Sequence, residues 1–121
     1  MKRKRIKFIG AALLGLFLIG VAAPSALPKT TATLTASVVN QQCMGGDNVD
    51  VTLTATLQPR KRGVMFQWDF NNDGIFDTAL STNPTVTTSY PDEVQVTARV
   101  RASKGSRSAE ATVTFQTLRC P

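Results

Sequence analysis

In Asp69-x-Asn71-x-Asp73-Gly74-x-x-Asp77, oxygen-bearing side chains recur on alternate positions of a stretch rich in turn formers. A calcium ion takes roughly six to eight oxygens, and alternate positions of a tight turn can point inward together. Asp69, Asn71, Asp73 and Asp77 could each supply a side-chain oxygen and Ile75 a backbone carbonyl, with Gly74 permitting the bend. Leu80 stands where the bidentate Glu of a complete loop is expected, and no helices flank the segment. Asp92 and Glu93 are further donors on a neighbouring turn. The other reading of the same residues is an Asx-rich turn whose side chains bond their own backbone. No cofactor is expected, calcium being the one candidate. The chain has no His and only two Cys, which excludes His-based catalysis and multi-cysteine metal clusters. Metal-assisted hydrolysis by the three acids is the only enzymatic chemistry left, and they sit on a turn without a predicted cleft. A non-enzyme is expected.

The elements that must hold this turn have a period of two. Ala32, Leu34, Ala36 and Val38 alternate with polar residues, as do Val49, Val51, Leu53, Ala55 and Leu57. Val94 to Ala102 and Ala109 to Phe115 repeat the pattern. Successive side chains of a strand point to opposite faces, so each run has one buried and one wet face. Shorter strands are expected at Gly63–Phe70 and Thr85–Ser89, separated by Gly-, Asn- and Pro-rich turns. About seven short strands in one all-β domain over residues 29–121 imply an immunoglobulin-like sandwich of two packed sheets. Cys43 lies after the first strand and Cys120 after the last, at one predicted pole. In an exported protein an intramolecular disulfide is expected between them, the alternatives being free thiols or an intermolecular bond.

The sequence around the Asp-rich turn resembles a known family. Trp68-Asp69-Phe70 followed by Asp73-Gly74, with Tyr90-Pro91 and then an alternating strand, is similar to the PKD domain (polycystic kidney disease repeat). That family typically shows W-D-F-G-D-G at the end of its third strand and a His-x-Tyr corner later. Here one Asn is inserted, Thr88 replaces the His, and Asp92-Glu93 replaces the usual Pro-Gly. The resemblance runs from about Thr31 to Leu118. It implies an extracellular immunoglobulin-like sandwich that makes protein or cell-surface contacts without catalysis. Trp68 is expected in the core and not as a sugar platform, and Tyr90 as a buried ring that hydrogen-bonds backbone. With one Trp and one Tyr in the chain, few aromatics remain for stacking on saccharides.

The net charge of +6 divides unevenly. Five of the fourteen basic residues lie in Met1–Lys7, which leaves nine against eight acidic residues in the rest. Bulk charge therefore gives no ground for nucleic-acid binding. Basic residues, then the apolar run Phe8–Val21, then small residues form a secretory signal peptide over residues 1–28. Its length from Phe8 to Pro28 also suits an uncleaved membrane anchor. The expected setting is extracytoplasmic and bacterial, the domain being secreted or anchored. Within the domain, Arg60, Lys61, Arg62, Lys104 and Arg107 fall in turns at one pole, and Asp73, Asp77, Asp92 and Glu93 at the other. The basic pole faces back toward the export segment, so anionic headgroups are one expected contact, and a solvated loop is the alternative. The partner expected is a protein or cell-surface component.

Overall fold

The computed structural model describes residues 32–121. The signal or anchor assigned to residues 1–28 lies outside the described residues. Six strands follow in order: β1 (Thr33–Cys43), β2 (Asn48–Gln58), β3 (Met65–Asp69), β4 (Thr85–Pro91), β5 (Gln95–Lys104) and β6 (Arg107–Gln116). They form two antiparallel three-stranded sheets, ordered β1-β2-β4 and β3-β5-β6. This is the expected sandwich, and the period-two runs are its strands.

The core comes from their inward positions. Leu34, Val49, Val51, Leu53, Ala98, Val100 and Ala102 are fully buried, and Trp68 lies among them, 1% exposed. Burial of this kind stabilises by about 25 cal/mol for each Å² of apolar surface removed from water. The indole N–H of Trp68 has no hydrogen-bond partner among the described residues. On the wet faces, threonines pair across strands: Thr52 with Thr87 at 3.0 Å, Thr54 with Thr85 at 2.9 Å and Thr97 with Thr114 at 2.8 Å. Such cross-strand pairs hold register on the faces turned away from the core.

The described chain has six strands where about seven were expected. Residues 70–84, which would carry the additional strand, form the Asp-rich turn and a connection to β4. That connection follows the outer edge of β3: Asp77 N–H donates to the Trp68 carbonyl at 2.8 Å, Trp68 N–H donates to Thr78 Oγ1 at 2.9 Å, and Phe66 and Ser81 exchange N–H···O bonds of 2.7 and 3.0 Å at one bridge. Asn83 and Pro84 then turn the chain before a longer ladder can form.

The strand registers define two poles. Thr33 pairs with Gln58, Met65 with Ser103 and Lys104 with Arg107 at the upper pole. Cys43 pairs with Val49, Asn48 with Pro91 and Gln95 with Gln116 at the lower pole. Cys43 and Cys120 are disulfide-bonded, with Cα atoms 5.7 Å apart. Cys43 is the last residue of β1 and not part of the turn that follows. The C-terminal segment is held beside it, because Cys120 N–H donates to Asp92 Oδ2 at 3.2 Å.

Candidate functional site

The turn after β3 is wired to its own backbone. Strand alternation sends Trp68 inward, so Asp69 emerges on the opposite face of its sheet, yet it is fully buried because residues 70–77 fold over it. Asp69 Oδ1 accepts from Asp73 N–H at 3.2 Å and Oδ2 from Gly74 N–H at 2.9 Å. Asp73 Oδ1 accepts from Ile75 N–H at 2.9 Å, and Asp77 Oδ2 from Phe70 N–H at 2.7 Å. With its amide nitrogen turned to the acids, Asn71 donates to Asp69 Oδ1 and to Asp73 Oδ1, each at 3.1 Å. Gly74 (φ +92°) supplies the left-handed backbone that returns the chain toward Asp69. Ile75, given a carbonyl role in the calcium reading, has an exposed side chain.

Arg99 completes the arrangement. It lies opposite Asp69 in the β3–β5 register, and its Nη2 is 3.3 Å from Asp69 Oδ2. Its Nη1 reaches Glu110 Oε1 at 3.0 Å, and Arg101 Nη2 reaches Glu110 Oε2 at 2.7 Å. The Phe76 ring lies 4.7 Å from both guanidinium carbons, a cation–π contact made twice. Burial alone would raise the Asp69 pKa, but the Gly74 and Asp73 amides and the Arg99 charge together hold it below the usual carboxylate value. Glu110 is lowered in the same way, its desolvation outweighed by Arg101 and Arg99.

As built, the Asp69 oxygens accept from the Asp73 and Gly74 amides, and Arg99 places a positive charge beside them. Among the described residues, no group of three or more His, Cys, Asp or Glu side chains is arranged to hold a metal ion. Asp92 and Glu93 are engaged elsewhere: Asp92 with Cys120, and Glu93 with Arg119 in an exposed pair at 3.5 Å. Glu93 takes φ +51°, so it adopts the left-handed turn that a glycine would fill with less strain.

The Asp-rich turn is tied to the lower pole by Tyr90. Its hydroxyl donates to the Phe70 carbonyl at 2.7 Å, and its ring meets Phe115 edge-on at 5.7 Å. Desolvation, reinforced by the charges of Asp77 and Asp69, pushes the phenol pKa up to about 12. Trp68, Asp69, Phe70, Asp73, Gly74 and Tyr90 therefore form one unit: a core indole, a capped turn and the corner that holds it.

The family model for the PKD domain matches residues 31–117. The chain belongs to the PKD domain family. No curated protein and no solved structure matches it. PKD domains are usually extracellular interaction modules and generally non-catalytic, and the Cys43–Cys120 bond fits an extracytoplasmic setting.

The upper pole of this PKD domain has a different character. Arg60, Lys61 and Arg62 lie in the β2–β3 turn, and Lys104 and Arg107 flank the β5–β6 turn. The two turns are neighbours, since a Cβ built at Gly63 would lie 3.7 Å from Lys104 Cε. None of the five cations has an ion-pair partner among the described residues, whereas Arg99, Arg101 and Arg119 all do. Beside them an open groove of about 440 Å³ runs between the end of β2 and the start of β3. Arg60 and Lys61 line it together with Leu57, Val64 and Phe66, and no carboxylate does. The sequence placed the five cations at one pole. It did not reveal the groove, nor the partnership of Asp69 with Arg99 and Glu110. The Arg99/Arg101 alternation was a signal for the latter, because Glu110 stands directly opposite Arg101.

Proposed function

We propose that this PKD domain is an exported, non-catalytic module that contacts a protein or cell-surface component through its basic pole. The observation that carries the reading is the cluster of five cations without ion-pair partners among the described residues, at the pole opposite the capped Asp-rich turn. Unpaired charge of one sign steers an oppositely charged partner and sets the salt dependence of the encounter. The test uses the full chain in nanodiscs of neutral lipid, passed over immobilised surface material of the producing cell. Association is expected at low salt, release at high salt, and at least an approximately tenfold loss when all five cations are changed to Glu. Equal retention of wild type and the reversed variant overturns the reading.

A membrane-tethered spacer is the second reading, and one observation favours it. β1 starts at the basic pole, where Thr33 pairs with Gln58. If residues 1–28 stay in a bilayer, the few residues between them and β1 can span at most roughly 17 Å, which keeps that pole near the membrane. Each cation near an anionic surface then contributes about 1 kcal/mol. The intact mass of the exported protein decides between the two, because cleavage removes the tether.

A further inference from the structure

The reading of the basic pole as a contact surface underlies a more specific inference about its groove. The geometry points to a docking site for an extended acidic peptide, added as a short strand to the open edge of β2 beside Leu57.

The edge is open because β4 begins too late to cover it. β4 pairs with β2 from Asn48↔Pro91 to Thr54↔Thr85, and Ala55 N–H makes one further bond to Pro84 O at 3.0 Å. β2 continues through Thr56, Leu57 and Gln58, which pair with β1 on the other side only. Backbone groups alternate between the two edges of a strand, so the Leu57 N–H and C=O face the same side as Ala55 N–H. Among the described residues, no strand stands beside them there. An unpaired run of this kind is a template for an added strand.

The neighbouring surface specifies what the added strand carries. The floor is apolar: Leu57, Val64 and Phe66 line it, each less than a tenth exposed. A strand on this edge sends alternate side chains into the groove, where an aliphatic group fits. Arg60 and Lys61 line the same groove and have no ion-pair partner among the described residues, so carboxylates on the flanking residues complete the match. The volume of about 440 Å³ lies within the range of sites that hold small ligands or a few residues. An acidic polysaccharide would meet the cations but would leave the Leu57 edge unpaired. It would also find no open aromatic face, since Phe66 is 8% exposed.

The test measures binding of a labelled peptide of about eight residues, alternating Glu and Val, to the full chain in a neutral detergent. Comparators are the same peptide N-methylated at alternate amides, polygalacturonate, and the Arg60→Glu/Lys61→Glu variant. Expected results are binding of the peptide, about tenfold or greater loss on N-methylation in one register, and a similar loss in the variant. The Leu57 amide resonance should shift among the most. Equal binding of the N-methylated peptide and polygalacturonate, still abolished by reversal of all five cations, overturns the groove and leaves the basic-pole reading standing. No peptide binding also overturns the groove. Peptide binding indifferent to every charge reversal overturns both.

Discussion

Replacing Asp69 with Ala is expected to destabilise the domain by about 3 kcal/mol, most of it through the turn and not the core. The carboxylate is fully buried and accepts from two backbone amides and one guanidinium. A hydrogen bond to a charged group contributes about 1.5 to 3 kcal/mol, but Asp73 and Gly74 are exposed, so water recovers part of each loss and about 1 kcal/mol per amide remains. Arg99 keeps Glu110, so its share is about 1 kcal/mol more. Trp68 is the chain's single tryptophan and is buried, so its fluorescence follows urea unfolding without labels. With a urea slope of about 1 kcal/mol/M for a domain of this size, the midpoint should fall by about 2 to 3 M at unchanged slope. Asp69→Asn keeps the shape and one acceptor but turns an N–H₂ toward a donor, and should recover less than half of the loss. The folded pKa of Asp69 lies below its unfolded value, so its contribution is complete above the unfolded pKa and fades as pH falls through the folded one. Wild-type stability should therefore drop at acid pH more steeply than that of Asp69→Asn. An Asn variant as stable as wild type at neutral pH would refute the reasoning.

Three further outcomes follow from the same geometry. Replacing both Cys43 and Cys120 with Ser opens a loop with sequence separation 77 and should cost about 4 kcal/mol, read as a lower urea midpoint; a change under about 1 kcal/mol would contradict it. Tyr90 is the only tyrosine, so phenolate absorbance titrates one group, with an expected midpoint near about 12. Since the folded pKa is raised, its stabilisation is intact below the unfolded value of ~10 and is lost as pH rises toward the folded one, and Tyr90→Phe should flatten that loss. Calcium should leave the melting temperature within about 1 °C of its value in chelator, because the Asp69 oxygens already have donors; a rise of several degrees reversed by chelator would assign the turn to the metal.

Alternation alone reveals the sandwich, because which face of a strand is buried depends only on neighbours in the chain. Val49 to Leu57 and Val96 to Ala102 show this, while the pairing of Cys43 with Cys120 followed from their predicted pole and the export signal, and Trp68 in the core from its place in the family motif. Tertiary contact decided the rest. Asp69 and Asp73 could be read as calcium ligands or as turn caps, and Arg99, thirty residues on, is brought against Asp69 only by the β3–β5 register. Residues 78–84 form one bridge and no strand, because an isolated segment cannot show whether a partner edge will meet it. The open edge at Leu57 depends on where β4 begins relative to β2, and the groove beside it on how the β2–β3 turn and residues Thr82 and Pro84 meet the ends of β2 and β3. Register, desolvation and shared surfaces belong to pairs of distant segments, so no local pattern of residue types encodes them.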